Sequence, residues 1–283
     1  MYKNSIKSVA IGSFDGIHLG HRTLIDQVEA IVIIERNSGY LTPGYRRTFC
    51  VEQPCFFYHF NNIKALTAKE FVEKLKEDFP KLETIVVGYD FGFGYKKEGN
   101  ITLLKELFNG EVIVVSEVKS SDISVHTRTI KSYIAEGNMR LVKQLLDRPY
   151  RISGKIISGQ GLGKEKLVPT LNLNVYDYDL PKDGVYATRT KVNDEWLESV
   201  SFLGLRVTTD GSYAIETHVL EKDIGLITGN TQIEFIDFIR DNKKFDGLEA
   251  LKVQIFRDIE IARTYKVGDS IKMSEKILKS TDT

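Results

Sequence analysis

The sequence predicts two domains of different class: a doubly wound α/β domain, then an antiparallel β-barrel with a closing helix. Three observations carry this. Through the first half, short apolar runs alternate with segments of helical spacing, the pattern of a parallel sheet covered on both faces. After Asp147-Arg148-Pro149-Tyr150 that rhythm stops, and short alternating segments rich in β-branched and aromatic residues continue to about residue 240. At 283 residues the chain is also long for a single core. The expected domains are 1–148 and 149–283, with no low-complexity linker between them.

Strands are expected in the first domain at 8–12, 30–34, 55–60, 84–89 and 111–115, and helices at 21–28, 68–78, 101–108 and 127–146. Thr67, followed three residues later by Glu70, is a capping box at the second helix. In the second domain the strand-like segments are 151–157, 171–176, 184–188, 214–219 and 232–236. A final helix follows, with Asp246 as its cap and Leu248, Leu251, Ile255 and Ile259 as an apolar stripe against the barrel.

Composition removes several classes of function. Basic and acidic residues balance at 39 each, so no charge excess argues for nucleic acid or an anionic membrane. The longest apolar runs, such as Ala30-Ile31-Val32-Ile33-Ile34, are too short to span a bilayer. No apolar region precedes Gly12 in the manner of a signal peptide. Cys50 and Cys55 are too few for a disulfide framework. The expectation is a reduced, cytoplasmic protein.

The stretch Gly12-Ser13-Phe14-Asp15-Gly16-Ile17-His18-Leu19-Gly20-His21 lies between the first strand and the first helix. Gly12, Gly16 and Gly20 allow close backbone approach there, and backbone amides at a helix start suit phosphates. His18 and His21, three apart, share a face and can stabilise charge on the α-phosphate of a nucleoside triphosphate, which is nucleotidyl-transfer chemistry. Asp15 either fixes the loop or helps hold a metal. A second glycine-rich turn, Gly88-Tyr89-Asp90-Phe91-Gly92-Phe93-Gly94, emerges at the same edge of the sheet. Thr127 and Arg128 open a helix, as an N-cap or as phosphate contacts.

These segments resemble the ATP-binding motifs of bacterial bifunctional riboflavin kinase/FAD synthetases, and the likeness runs through nearly the whole chain. It implies a Rossmann-like nucleotidyltransferase domain, an FMN adenylyltransferase, followed by a flavokinase barrel. ATP contacts then fall on Gly12, Phe14, Asp15, Gly16, Gly20, Asp90, Phe91, Gly94, Thr127 and Arg128. Val168-Pro169-Thr170-Leu171-Asn172 resembles the family's Pro-Thr-x-Asn motif, which binds Mg²⁺ and ATP phosphates. Positions 170 and 172 share one side of a strand, so a hydroxyl and an amide oxygen can meet one hard cation; a solvated strand face is the plain alternative. Gly159, Gly161 and Gly163, with Lys164, resemble the glycine-rich flap over the nucleotide. Glu216 matches the catalytic base for the ribityl hydroxyl, although an exposed strand carboxylate is the commoner fate of Glu. Arg240 and Phe245 fall in the segment lying near the flavin.

The implied substrates are ATP, riboflavin and FMN, with Mg²⁺ as cofactor. The sequence also departs from the family. No counterpart of the flavin-contacting motif stands between the second strand and Leu66. Leu167-Val168 replace Gly-Phe, and Phe202-Leu203-Gly204-Leu205-Arg206-Val207-Thr208 replaces an Asn-Ile-Gly…Pro-Thr segment. His126-Thr127-Arg128-Thr129-Ile130-Lys131 only loosely mirrors a Ser-Ser-Thr and Ile-Arg pattern. Loss of one activity, or a flavin-binding protein without turnover, are the alternatives these departures leave open.

Overall fold

The computed structural model describes residues 3–36, 40–158, 167–220 and 224–265. The chain divides into two compact units: residues 1–131 with 145–147 and 177–179, and residues 132–144 with 148–176 and 180–283.

In the first unit, five strands form a parallel sheet: β1 (Ser8–Gly12), β2 (Ala30–Glu35), β3 (Cys55–His59), β4 (Thr84–Gly88) and β5 (Glu111–Val115). Their order is β3-β2-β1-β4-β5. The apolar runs are continuous because both faces are covered. Val9 and Ile11 pack on one side with Phe71, Leu75 and Leu104, while Ala10, Ile31 and Val86 pack on the other with Leu24 and Ile25. Four helices serve these faces: α1 (Leu19–Ile25), α2 (Phe60–Ile63), α3 (Ala68–Asp78) and α4 (Ile101–Leu107). The capping box starts α3: Thr67 Oγ1 accepts the Glu70 amide at 3.2 Å, and Glu70 Oε2 accepts the Thr67 amide at 2.7 Å. The strand order reverses at β1. From β1 the chain steps outward to β2 and β3, then returns to add β4 on the other side, so the loops after β1 and β4 flank a crevice at the carboxyl edge.

The helix expected over 127–146 is two helices, α5 (Thr127–Glu136) and α6 (Met139–Leu146). Gly137, at φ +79°, ends the first. The Asn138 amide reaches Tyr133 O at 2.8 Å and the Gly137 amide reaches Ile134 O at 3.0 Å, the paired bonds of a Schellman cap. Asn138 then starts α6, its Oδ1 accepting the Leu141 amide at 3.3 Å.

The second unit is a closed antiparallel barrel of β8 (Tyr150–Ile157), β9 (Leu171–Val175), β10 (Gly184–Val192), β11 (Glu195–Leu205), β12 (Tyr213–Val219) and β13 (Asn230–Arg240). A two-stranded hairpin, β6 (Lys119–Ser120) with β7 (Ile123–Ser124), precedes it in the chain. Barrel order is β10-β11-β12-β9-β8-β13. Strand β11 is absent from the sequence expectation. Its signal is Asn193-Asp194, both at positive φ, a two-residue turn that closes a tight hairpin with β10.

Alternation gives the barrel two unlike faces. Thr188, Thr190, Ser199, Ser201 and Thr217 are fully buried and hydrogen-bond to one another at 2.8 Å. Their neighbours on the opposite face, Ala187 and Val200, pack with Ile255, Ile259 and Ala262 of the closing helix α7 (Leu248–Thr264). Asp246 is not the cap of this helix. Gly247 takes the N-cap position at φ +107°, with no side-chain cap bond. The helix is instead pinned by Asp258, whose carboxylate receives Arg240 of β13 through Nε (2.9 and 3.1 Å) and Nη2 (2.8 Å). No helix among the described residues is long and apolar enough to cross a membrane.

Two stability changes follow. Asp258→Ala strands a largely buried guanidinium and lowers unfolding free energy by about 3–5 kcal/mol. Gly137→Ala forces a Cβ into the left-handed region and costs about 1–2 kcal/mol. Midpoints of urea denaturation measure both; unchanged midpoints contradict the assigned roles.

Candidate active sites

The loop after β1 is held in an unusual backbone conformation. Phe14 (φ +50°), Gly16 (φ +90°) and Ile17 (φ +42°) all lie at positive φ, which is costly for a β-branched residue. Burial offsets that cost, since Phe14 and Ile17 are almost wholly enclosed. At Gly16 a Cβ would also meet Leu41 Cδ1 at 2.8 Å. Helix α1 begins two residues earlier than its apolar spacing predicts, because His18 caps it. His18 Nδ1 accepts the His21 amide at 3.2 Å, so a neutral His18 carries its proton on Nε2. The two imidazoles stack, centroids 3.5 Å apart and 16° from parallel, and the Phe14 ring meets His21 edge-on at 5.2 Å. His18 is buried and His21 half-buried, so His21 is the more open of the pair.

Asp15 is occupied by the fold. Its Oδ1 accepts the Thr42 amide at 3.0 Å, and Lys131 Nζ stands 3.8 Å from Oδ2. Burial pushes the Asp15 carboxyl above its ordinary value, opposed by the Thr42 amide and by the charges of Arg47 and Lys131. The Asp15 carbonyl accepts the Thr127 hydroxyl at 3.1 Å, which ties the start of α5 to the loop. Arg128 is exposed on α5, and Asp90 is exposed beyond β4. Phe91 stacks on Phe93 at 5.5 Å and packs on the core. Gly94, at φ +74°, lies against Ala68 at the start of α3. Gly12 ends β1 and Gly20 lies in the first turn of α1. Lys131, Leu41 and Thr42 buttress the loop and are not singled out by sequence. Nor is the buried Arg47–Glu35 ion pair nearby, because nothing local in the sequence marks these contacts.

The second site is a cavity of about 870 Å³ in the barrel unit, lined among others by Thr170, Asn172, Glu216, Arg240 and Phe245. Strand register explains the grouping. Phe202, Glu216 and Asn172 are direct cross-strand partners on β11, β12 and β9, and they share the face opposite the buried hydroxyls. Two positions along β12, His218 reaches the Pro169 carbonyl with Nδ1 at 2.7 Å and so ties the Pro169-Thr170 segment to this face. Arg240 lies over the Phe245 ring, 5.5 Å from its centroid. Gly159, Gly161, Gly163 and Lys164 lie outside the described residues.

Thr170 and Asn172 offer neutral oxygen donors, which suits a hard cation that keeps waters and substrate phosphates as its remaining ligands. Among the described residues no cluster of three His, Cys, Asp or Glu side chains is placed to hold a metal. Arg206, which sequence reasoning passes over as part of a departure from the family, joins the site. Its Nη2 donates to Asn172 Oδ1 and to Glu216 Oε1, both at 2.6 Å.

Known proteins agree with this two-part layout. A FAD synthetase family model matches residues 2–38 and 47–132, and a riboflavin kinase model matches residues 146–266. The interruption at 39–46 coincides with the segment that supplies Leu41 and Thr42 to the first loop. A Buchnera aphidicola protein (from the pea-aphid strain) is 28% identical, covering 93% of this chain and 94% of its own. A Listeria monocytogenes protein is 28% identical with 92% coverage of each, and an Escherichia coli protein 26% identical with 91% and 92%. All three carry the name bifunctional riboflavin kinase/FMN adenylyltransferase. A crystal structure of a Streptococcus pneumoniae protein, titled a macrolide-efflux protein, superposes with a TM-score of 0.81 at 26% identity over 93% of this chain and 96% of that one. With both family models matched in order and relatives aligned from end to end, this chain belongs to the bifunctional riboflavin kinase/FMN adenylyltransferase family.

Proposed function

We propose that this chain makes FAD in two steps, each in its own domain. Riboflavin is phosphorylated by ATP in the barrel, residues 149–283, and the resulting FMN is adenylylated by a second ATP in the α/β domain, residues 1–148. The observation that carries this is the presence, in one chain, of two separately built sites. One is a strained loop stacking His18 on His21, and the other a cavity that gathers Thr170, Asn172 and Glu216.

In the barrel, Glu216 takes the proton of the ribityl 5′-hydroxyl as that oxygen bonds to the γ-phosphorus of ATP. The bond from that phosphorus to the β-bridging oxygen breaks, and ADP leaves. Thr170 and Asn172 would hold Mg²⁺, which supplies charge neutralisation on the nucleotide phosphates. Arg240 and Phe245 border the flavin, and Gly159, Gly161, Gly163 and Lys164 contact ATP. In the α/β domain, a phosphate oxygen of FMN attacks the α-phosphorus of ATP and pyrophosphate leaves. His21 donates to the α-phosphate, where negative charge grows, and His18 holds it in place from behind through the stack. Gly12, Phe14, Asp15, Gly16 and Gly20 shape the cradle, and Asp90, Phe91, Gly94, Thr127 and Arg128 border the nucleotide. A cytoplasmic setting, where ATP is supplied, is part of this reading.

Chromatography of products from riboflavin and Mg·ATP tests it: FMN and FAD should both appear. His21→Ala should slow conversion of FMN to FAD by about 10²–10³-fold and spare riboflavin phosphorylation. Glu216→Ala should slow FMN formation by about 10²–10⁴-fold while supplied FMN still becomes FAD. FAD formation at the normal rate in the first variant, or FMN formation at the normal rate in the second, overturns the corresponding assignment.

A further inference from the structure

We infer that Arg206 is a latch on the phosphotransfer site: its guanidinium clasps Glu216 and Asn172 together, and metal–nucleotide, on binding, frees both. The inference rests on the kinase reading of the barrel given above.

The clasp is specific. Nη2 of Arg206 is shared between Asn172 Oδ1 and Glu216 Oε1 at 2.6 Å, and Nε adds a second bond to Glu216 Oε1 at 2.9 Å. Asn172 and Glu216 are cross-strand partners, so one planar guanidinium spans them without distorting either strand. The contact is partly enclosed: the Arg206 side chain is 16% exposed and that of Glu216 25%. It is therefore screened less than a surface pair.

The clasp is also incompatible with turnover. A guanidinium has no lone pair and keeps its charge. While it donates to Asn172 Oδ1, a divalent cation approaching that oxygen to about 2.1 Å would meet a second positive charge a few ångströms away. Glu216 Oε1 already accepts two N–H bonds, which leaves only Oε2 to receive the substrate proton. Arg206 must turn away before a cation can take Asn172 Oδ1 and before both oxygens of Glu216 can face the substrate.

The surroundings give it somewhere to go. Arg206 sits where β11 leaves the barrel, and its carbonyl accepts the amides of Thr209 (3.0 Å) and Gly211 (3.1 Å) in the turn leading to β12. On the outward side its Nη1 bonds Ser212 Oγ at 2.9 Å and stands 3.8 Å from Asp210 Oδ2. Nucleotide phosphates, stronger anionic acceptors than a lone carboxylate oxygen, compete for the same guanidinium. Base and cation ligand are thus released together, and only when nucleotide arrives. Because the ribityl hydroxyl is read by Glu216, a nucleotide that frees Glu216 also frees an acceptor for riboflavin, and by linkage the two ligands tighten each other's binding.

Riboflavin binding to the full chain, followed by flavin fluorescence with and without Mg·ADP, tests the latch without turnover. The unaltered chain should bind riboflavin about fivefold or more tighter when Mg·ADP is present. Arg206→Ala should bring that ratio close to one by tightening riboflavin binding in the absence of nucleotide, a gain that mere damage to the barrel would not produce. Arg206→Lys, a cation without the fork, should give an intermediate ratio and decides the matter if the alanine variant does not fold. An undiminished ratio in the folded variants overturns the latch, as does riboflavin binding to the unaltered chain without coupling. Failure of the unaltered chain to bind riboflavin in either arm overturns the kinase reading and the latch with it.

Discussion

The pairing of β12 with β11 on one side and β9 on the other is the constraint on which the barrel site depends. It sets Glu216 beside Phe202 and Asn172 and turns all three to the face that α7 helps to cover. Because strand side chains alternate, a slip of one residue in β12 would exchange Glu216 for Thr217 and push a carboxylate among the buried hydroxyls. Those hydroxyls guard the register. Thr217 bonds Thr190 of β10, and Thr188 bonds Ser199 and Ser201 of β11, so a slip breaks several bonds in a place water cannot reach. Closure of the sheet leaves no edge at which slippage could be absorbed.

The α/β unit solves a similar problem by another route. Its candidate site stands on a loop at the point where strand order reverses, and loops have no ladder to hold them. The loop is instead held by packing: buried Phe14 and Ile17, the Thr42 amide on Asp15, and the Thr127 hydroxyl on the Asp15 carbonyl. Strained backbone that is over-determined in this way is fixed by the fold itself, so little reorganisation remains for a ligand to induce.

The parts of this molecule that were legible in its sequence are those set by local pattern. The five parallel strands, the Thr67–Glu70 capping box and most barrel strands follow from period, spacing and turn residues. The stacking of His18 on His21 and the placement of Thr170 and Asn172 at one cavity also follow from spacing, since each needs only neighbours in sequence. The break at Gly137 is hidden because the apolar spacing continues across it, and only the positive φ interrupts the helix. Residue type favours Asp246 as a cap, whereas the backbone turns at Gly247. Arg206, Lys131 and the 41–42 segment were hidden for a different reason. Their importance lies in contacts with residues from 10 to more than 100 positions away, which no local window contains.

The three residues Asp177–Asp179 lie in sequence between β9 and β10 of the barrel yet cluster with the first unit. Tyr178 forms a bridge with Tyr40, the Asp179 amide donates to the Tyr40 carbonyl at 3.0 Å, and the Asp179 carboxylate pairs with Lys131 at 2.9 Å. The two catalytic halves are therefore not cleanly excisable modules. A fragment ending at 148 would lose Asp179, one partner of Lys131, the same lysine that stands beside Asp15 in the histidine loop. Gene fusions or domain exchanges among relatives that treat the halves as interchangeable blocks would inherit that defect unless the three residues travel with the first unit.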